Sequence, residues 1–240
     1  MPFSPRRRLH LISLALGVSL VLCVTPLSAQ ASVKSPTTKS VLKAAQKALD
    51  KVTGVHIMVT STSGGKDSYV VVDIGATYGQ ESITSGKNVV HIIVTPTDAY
   101  LRGSETGLID IMGLTAAEQK KVGNLSVVMK AGTTEYESFH ANLTTGVLAG
   151  VLPTAKGTKY KLSDDQAKNY LLTWKTAATS TAAATKSVLT ISSGSKTLPL
   201  KEVISGSTGG GTTIFSKWNE NVVEVAPKVA NTIPYAKVIG

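Results

Sequence analysis

Two nearly uninterrupted runs of β-branched and aliphatic residues limit the possible folds more than any other feature of this sequence. They are Tyr69 to Ile74 and Val89 to Val94. Side chains of this kind favour strands. A strand that is apolar at almost every position, rather than at alternate positions, is typical of a sheet that is shielded on both faces. We therefore expect a sheet whose two faces are covered by helices or by a bound apolar molecule.

Glycine- and proline-containing turns divide the chain into short strands, which indicates antiparallel hairpins. In the first half the turns are Gly64-Gly65, Ser85-Gly86 and Pro96 to Asp98, and in the last third Gly194 and Gly209 to Gly211 mark turns. The predicted strands are Val55 to Ser61, Tyr69 to Gly75, Tyr78 to Thr84, Asn88 to Thr95, Ala99 to Gly103, Leu125 to Met129, Lys186 to Ser192, Leu198 to Ser205, Thr212 to Trp218 and Val222 to Ala226.

Helical patterns precede and interrupt these strands. A first helix is predicted from residue 40 to residue 52, because its apolar side chains recur at helical spacing, and Gly54 ends it. Thr115 and Glu118 form a capping box for a second helix, and Ser163 to Gln166 is predicted to cap a further segment through Trp174. Strands, inserted helices and strands again predict an α+β protein.

The first 31 residues have the three-part layout of a secretion signal. Arg6 to Arg8 precede the apolar run Leu11 to Val24, a helix-breaking Pro26 follows the run, and a small-x-small site ends at Ala31. The run is shorter than the roughly 20 residues that a membrane-spanning helix needs, which disfavours a retained anchor. We expect cleavage after Ala31, a single domain over residues 32–240 with an extended tail at 227–240, and a secreted or cell-envelope location.

Cys23, the one cysteine, lies inside the apolar run. A lipidated cysteine is possible there but disfavoured, because lipoprotein processing requires a small residue before it and Leu22 is large. A chain beginning at Ser32 would contain no cysteine, and therefore no disulfide and no thiol nucleophile.

The charge of the chain does not indicate a nucleic-acid partner. Removing the signal removes three arginines and no acid, so the formal charge falls from +10 to about +7. Lys120-Lys121 is the only basic pair after residue 31, and no basic stripe interleaved with aromatic residues is present. A diffuse positive charge favours solubility, and a membrane surface with anionic headgroups remains a possible partner.

Residue types that carry catalysis or bind metals are scarce and scattered. His56, His91 and His140 are isolated, and none has a second metal-ligand residue at a suitable spacing. The glycine-rich stretch from Gly206 to Gly211 precedes a strand rather than a helix, so a hairpin is favoured over a phosphate loop. Asp164 and Asp165 stand where a helix start prefers acids. The sequence therefore predicts no enzyme, no catalytic residue, no metal site and no cofactor.

Two short, apolar, glycine-containing segments are the more informative feature. Residues 107–114 and residues 143–152, here called the lid segments, are suited to lie over the open side of a curved sheet. Alternatively, they simply complete the core.

Four stretches in a consistent order resemble one family. They are Val52 to Thr60, Asp98 to Gly103, Gly132 to Thr144 and Thr213 to Val222. In these the chain resembles the bacterial extracytoplasmic lipoprotein family of the LppX, LprA, LprF and LprG type, whose members are similar to the carrier LolA. The resemblance implies a curved antiparallel half-barrel with helices on its concave face and an apolar cavity for acyl chains.

From the residues and the resemblance we expect a monomeric lipid or lipoglycan carrier that holds acyl chains between sheet and lid segments. The alternative is a secreted or cell-envelope interaction module without a ligand cavity. The candidates for the sheet wall of the cavity are Ile57, Val59, Val71, Val90, Ile92, Val94 and Leu101. The candidates for the lid are Leu108, Ile111, Met112, Leu143, Val147, Leu148 and Val151.

Overall fold

The computed structural model of the chain describes residues 36–153, 159–179 and 183–240. The predicted signal over residues 1–31 and Cys23 lie outside these ranges, so cleavage and lipidation stay predictions. The strands are β1 (Gly54–Ser63), β2 (Lys66–Gly75), β3 (Gly79–Ser85), β4 (Asn88–Val94), β5 (Asp98–Gly103), β6 (Ser126–Lys130), β7 (Lys161–Asp164), β8 (Tyr170–Thr176), β9 (Thr185–Ile191), β10 (Pro199–Gly206), β11 (Gly209–Ser216) and β12 (Thr232–Pro234). The α-helices are α1 (Thr38–Leu49), α2 (Glu105–Met112), α3 (Ala116–Val122), α4 (Thr134–His140) and α5 (Tyr235–Ile239).

The strands form one sheet in the order β12-β6-β5-β4-β3-β2-β1-β11-β10-β9-β8-β7. Every neighbouring pair is antiparallel except β12 and β6, which run parallel. The expectation of an α+β protein built on an open, curved, mostly antiparallel sheet with helices on one face is confirmed. No helix within the described ranges is long and apolar enough to cross a membrane.

Helix α1 begins two residues earlier and ends three residues earlier than the sequence pattern predicts. The Thr37 side chain caps it by accepting a hydrogen bond from the backbone N–H of Ser40. In return, the Ser40 side chain accepts a hydrogen bond from the backbone N–H of Thr37. Its buried side chains are Val41, Ala45 and Leu49. Gly54 belongs to β1 rather than ending the helix.

Lid segment 107–114 contains a helix rather than only an apolar turn. The side chain of Ser104 accepts a hydrogen bond from the N–H of Gly107 and so caps α2. Gly113 ends the helix with a φ of 67°, in the left-handed region that glycine adopts without strain. The predicted capping box of Thr115 and Glu118 at α3 is confirmed.

The prediction of a capped helical segment between Ser163 and Trp174 is wrong, because this stretch is the hairpin of β7 and β8. The carboxylate of Asp165 accepts hydrogen bonds from the backbone N–H and side-chain amide of Asn169, at 2.8 and 3.0 Å. An aspartate whose side chain accepts hydrogen bonds from a residue a few positions later favours a turn over a helix start.

The end of the chain differs from the prediction in two ways. Residues 222–226 form no strand, and the tail after Pro227 is not simply extended. A 3-10 turn at Val229–Asn231 leads into β12 and then α5. Val238 of α5 is fully buried, and its carbonyl oxygen accepts a hydrogen bond from Lys121 Nζ at 3.1 Å. The tail therefore closes one edge of the sheet.

The helices cover one face of the sheet, here called the inner face, and divide it into two apolar clusters. The first cluster joins α1 and the second lid segment to β1, β2, β8, β9 and β11. The second joins α2, α3, α4 and α5 to β4, β5 and β6.

The opposite, outer face carries no helix within the described ranges, so the helices cover one face of the sheet only. Outward side chains of the apolar runs, such as Val71 and Ile93, are half-buried among their cross-strand neighbours, whereas His91 is exposed. Cross-strand packing on a twisted sheet shelters much apolar area without a covering layer, and folded proteins tolerate the remainder.

Candidate functional site

The strand register sorts the inner face into three rows of side chains that lie at increasing distance from one end of the sheet. Residues directly opposite each other on paired strands share a face, and successive rows are about 7 Å apart, two residues along a strand. The first row, nearest the hairpin turns, is Ser187, Ile204, Gly211, Ser61, Ser68, Ser85 and Asn88. The second is Leu172, Leu189, Glu202, Thr213, Val59, Val70, Ile83 and Val90. The third is Phe215, Ile57, Val72, Glu81, Ile92, Leu101 and Val127.

The first row opens into a cleft of about 1280 Å³ at the hairpin end of the sheet. Ser61, Ser68, Ser85 and Asn88 line it, and Asp110 of α2 lies above them with its carboxylate 3.5 Å from the side-chain amide of Asn88. We call this cleft the mouth. Hydroxyl-bearing and charged side chains contribute most of its lining residues, together with Tyr69, Val203 and Ile204, so the inner face changes from mixed polarity at the mouth to apolar further along the strands.

The other end of the inner face is closed by the second lid segment. A Cβ built on Gly79 would lie 2.0 Å from the carbonyl oxygen of Leu143, so the two backbones are in direct contact. Thr144 forms an isolated parallel bridge with Gly75 at the end of β2. The lid is thus attached at the end opposite the mouth.

Between the two clusters the inner face is only half-buried, and we call this strip the seam. Val59, Val70, Val72 and Ile83 form its floor. Val72 packs at the margin of both clusters. Ile111 and Met112 of α2 lie at the margin of one cluster, and Val147 and Val151 of the second lid segment lie at the margin of the other. The seam is therefore an apolar strip that solvent reaches in part.

The predicted cavity residues fall into three groups. Five are half-buried at the margins of the two clusters, namely Val59, Ile111, Met112, Val147 and Val151. Eight are buried within the clusters, namely Ile57, Val90, Ile92, Val94, Leu101, Leu108, Leu143 and Leu148. Val71 lies on the outer face opposite Met58 and Ser82, so it does not share a wall with the other sheet candidates.

Two carboxylates that sequence reasoning did not single out also lie on the inner face. Glu81 stands between Val72 and Ile92 in the third row, and Glu202 stands between Leu189 and Thr213 in the second. Burial raises the pKa of Glu81 to about 7, and burial also raises the pKa of Glu202. Within the described ranges neither carboxylate has an ion pair or a hydrogen bond from another side chain.

A weak signal for Glu81 is present in the sequence. Glu81 alternates with Ile83 along β3, and two residues of equal parity on a strand share a face. The apolar Ile83 therefore places Glu81 on the covered side. Only the pairing of β3 with β2 and β4 shows that its direct neighbours are apolar.

A group of polar residues lies on the outer face at the closed end. His56 Nδ1 is 2.6 Å from Asp73 Oδ1, and Gln80 donates a hydrogen bond to Asp73 Oδ2 at 2.8 Å. Ser216, directly opposite His56, donates to the His56 carbonyl oxygen at 3.4 Å. The pKa of nearby Glu224 is raised by burial and by the charge of Asp73. His56 is thus a histidine with a structural partner.

Metal-binding geometry is not found in the described part of the chain. Across residues 36–153, 159–179 and 183–240, no three histidine, cysteine, aspartate or glutamate side chains are grouped closely enough to hold an ion.

Comparison with known proteins identifies similar structures at low sequence identity. No family model matches the chain, and no curated protein matches it. The lipoprotein LppX of Mycobacterium tuberculosis is 17% identical with a TM-score of 0.43, and the match covers 78% of this chain and 99% of LppX. LprF of Mycobacterium bovis is 12% identical with a TM-score of 0.44, and the match covers 80% of this chain and 99% of LprF.

A DUF1329 family protein of Desulfovibrio piger is also similar, at 8% identity and a TM-score of 0.29, with 78% of this chain and 94% of that protein covered. LppX and LprF are two of the proteins after which the family that the sequence resembles is named. The candidate site rests on the geometry of this chain alone.

Proposed function

We propose that this protein binds the acyl chains of a lipid or lipoglycan along the seam and carries that lipid outside the cytoplasm, within the cell envelope or in secreted form. The observation that supports this best is the half-buried apolar floor of Val59, Val70, Val72 and Ile83, which continues into an open polar mouth. The acyl tail lies on this floor and the headgroup stays at the mouth. The proposal assigns no catalytic step, metal or cofactor to the protein.

The energy available from such binding is sufficient for useful affinity. Removing a methylene from water contributes about 0.8 kcal/mol, so ten buried methylenes contribute about 8 kcal/mol before ordering costs. A net binding free energy of that size corresponds to a dissociation constant of about 1 μM. Immobilising the ligand and the lid reduces it.

Tail binding requires the lid segments to move, because eight of the predicted cavity residues are buried. The second lid segment is the element that we propose moves. Its residues 145–150 form a short 3-10 helix, which has weaker hydrogen-bond geometry than an α-helix. Leu143 and Thr144 stay attached at Gly79 and Gly75, so the segment opens from the mouth side.

A membrane surface is the proposed site of lipid exchange. Lys161, Lys175, Lys186 and Lys201 are exposed on the outer face of β7 to β10. No acidic side chain shares that face of these four strands. Anionic headgroups attract such lysines by about 1 kcal/mol each. Lys175 and Lys186 lie directly opposite each other near the hairpin end, beside the mouth.

The second candidate function is an interaction module without a ligand cavity. Val223, Val225 and Val229 favour it, because they are 61%, 83% and 87% exposed along one segment. Neighbouring exposed valines suit a protein partner. This candidate predicts that the purified protein carries no lipid.

The experiment that separates the two functions is native mass spectrometry of the protein purified from its own host, followed by extraction and identification of bound lipid. An acyl-bearing ligand at stoichiometric amounts supports the carrier. A ligand-free mass that is unchanged after incubation with host lipids overturns it in favour of the interaction module.

A matched pair of variants locates the ligand. Ile111 is half-buried at the margin of the second cluster, and Ile214 is 41% exposed on the outer face. We expect Ile111→Glu to lower the bound lipid at least about tenfold, because a charge replaces apolar contact with the tail. Ile214→Glu makes the same chemical change and leaves the bound lipid unchanged. Equal lipid in both variants would exclude the seam as the binding site.

A further inference from the structure

A half-buried carboxylate on an apolar floor is unusual when no side chain pairs with it, and Glu81 is such a carboxylate among the residues that the structure describes. Its direct cross-strand neighbours are Val72 and Ile92, and the next inward residue on its own strand is Ile83. Buried carboxylates are ordinarily paired or hydrogen-bonded, because the charged form loses its hydration without compensation. Apolar packing would be better served here by valine or isoleucine. Glu81 therefore weakens the free protein, and a bound group that hydrogen-bonds to it would offset that cost.

Titratable side chains on the helices that cover the inner face do not account for the raised pKa of Glu81. Helix α2 carries Glu105 and Asp110, α4 carries Glu135, Glu137 and His140, and α1 carries Lys39, Lys43 and Lys47. None of these side chains contributes to the raised pKa of Glu81, whose cause is burial. The second lid segment from Leu143 to Leu152 has no charged residue.

From this placement, two rows inward of the mouth, we infer that Glu81 is a polar subsite within the seam that selects lipids by the polar groups on their acyl chains. It accepts or exchanges hydrogen bonds with a hydroxyl or amine carried by the ligand, and it disfavours a carboxylate or phosphate at the same position. This inference rests on the proposed function and specifies the class of ligand. A lipid that carries a hydroxyl on its acyl chain satisfies the carboxylate at low energetic cost.

Glu202 is a second carboxylate on the inner face, and it lies outside the seam, beside Leu189 of the first cluster. It lies four strands from Glu81, a separation of about 19 Å at the usual spacing between strands. One hydroxyl cannot contact both carboxylates. A ligand that satisfies both therefore carries hydrogen-bond donors at two well-separated positions.

Three fatty acid methyl esters of equal chain length test the inference: one carries a terminal hydroxyl on its acyl chain, one a terminal amine and one a terminal carboxylate. Their affinities are measured by displacement of an uncharged fluorescent acyl probe at about pH 8. At that pH we expect the hydroxyl-bearing and amine-bearing esters to bind the wild-type protein at least about tenfold more tightly than the carboxylate-bearing ester, a factor equal to one pKa unit of interaction. Lowering the pH to about 6 protonates Glu81, and we expect the difference to narrow.

The variant Glu81→Gln keeps the size and polarity of the side chain and removes its charge. We expect it to bind the carboxylate-bearing ester nearly as tightly as the hydroxyl-bearing ester, with no change between the two pH values. Glu220→Gln is the matched control, since Glu220 is exposed on the outer-face side of the closed end, and it should keep the wild-type preference.

The possible failures differ in meaning. Tight binding of all three amphiphiles by the wild-type protein, or an unchanged preference in Glu81→Gln, overturns the inference and leaves the proposed function intact. Failure of the wild-type protein to bind any of the three overturns the proposed function itself.

Discussion

Gly79 holds the closed end of the inner face because its missing side chain leaves room for the backbone of Leu143. A Cβ at this position would lie 2.0 Å from the Leu143 carbonyl oxygen, far inside van der Waals contact. We expect Gly79→Ala to lower the free energy of unfolding by about 1–3 kcal/mol, the usual range for overpacking. Urea denaturation measures this change.

Gly146 provides the matched control for that measurement. It lies in the same lid segment, and a Cβ built there meets no heavy atom within 4 Å. Gly146→Ala should leave the free energy of unfolding within about 0.5 kcal/mol of the wild type. If both variants lose the same stability, the close approach at Gly79 is not what attaches the lid.

Glu81 makes stability depend on pH with a defined sign. Burial raises its pKa to about 7 from an ordinary value of 4.5, so the folded protein holds this proton more tightly than the unfolded chain. The two states do not differ in protonation below the ordinary value. As the pH rises from there to about 7 the unfolded chain ionises first, and stability falls. Relative to Glu81→Gln, we expect the wild type to lose on the order of a few kcal/mol over this window and then to level off.

The measurement is the urea midpoint of both proteins at intervals of pH. Glu118 supplies a control of opposite sign, since hydrogen bonds from Thr115 lower its pKa. Its stabilising effect is present above the ordinary pKa and is lost as the pH falls through the lowered value. If the urea midpoints of the wild type and of Glu81→Gln change with pH in parallel, the raised pKa of Glu81 is contradicted.

At the scale of elements, the tail shows how a short helix is stabilised by the sheet that it closes. Helix α5 has only five residues, and isolated helices of that length do not persist in water. Val238 is fully buried in the second cluster, and β12 pairs with β6 immediately before the helix. We expect Val238→Ala to lower the free energy of unfolding by about 1–3 kcal/mol through the cavity that it leaves.

Val229→Ala tests whether the tail as a whole or the Val238 contact matters. Val229 lies in the same tail but is 87% exposed. Its replacement should change stability by less than about 0.5 kcal/mol. Equal losses in the two variants, measured by urea denaturation, would rule out the packing of Val238 as the stabilising contact.

The sequence predicted elements whose signals are local and failed where distant partners decide. Strands β1 to β5 follow from β-branched runs between turns, and the α3 capping box needs only Thr115 and Glu118. The β7–β8 hairpin was missed because Asp165 can begin either a helix or a turn. The tail was missed because β12 and α5 exist only where β6 offers a free edge.

The candidate site was predictable in part for the same reason. Apolar residues such as Val59 and Ile111 follow from composition and from the lid segments. The inward side of each strand does not, because it depends on register, and a shift of one residue turns every side chain to the other face. For that reason Val71 was placed with the inward residues, and Val70, Val72 and Glu81 were not.

For the whole molecule, polarity follows one direction along the sheet. Hydroxyl-bearing side chains surround the mouth, apolar rows follow, and the close contact of Gly79 with Leu143 closes the far end. A molecule that is apolar at one end and polar at the other fits this gradient in one orientation only. Positive charge on the outer face lies at the same end of the sheet. Of the lysines on β7 to β10, Lys175 and Lys186 lie at the mouth end.

Docking on an anionic membrane through this lysine face is testable by charge reversal. Each lysine near such a surface contributes about 1 kcal/mol, so reversing Lys175 and Lys186 to glutamate should weaken binding to anionic phospholipid vesicles at least about tenfold. The wild-type affinity should fall steeply with salt, and neutral vesicles should bind weakly. The control is the pair Lys39→Glu and Lys43→Glu. It changes the net charge by the same amount, at exposed positions of α1 over the inner face. Vesicle co-sedimentation that weakens equally for both pairs would show that net charge, rather than the lysine face beside the mouth, governs membrane binding.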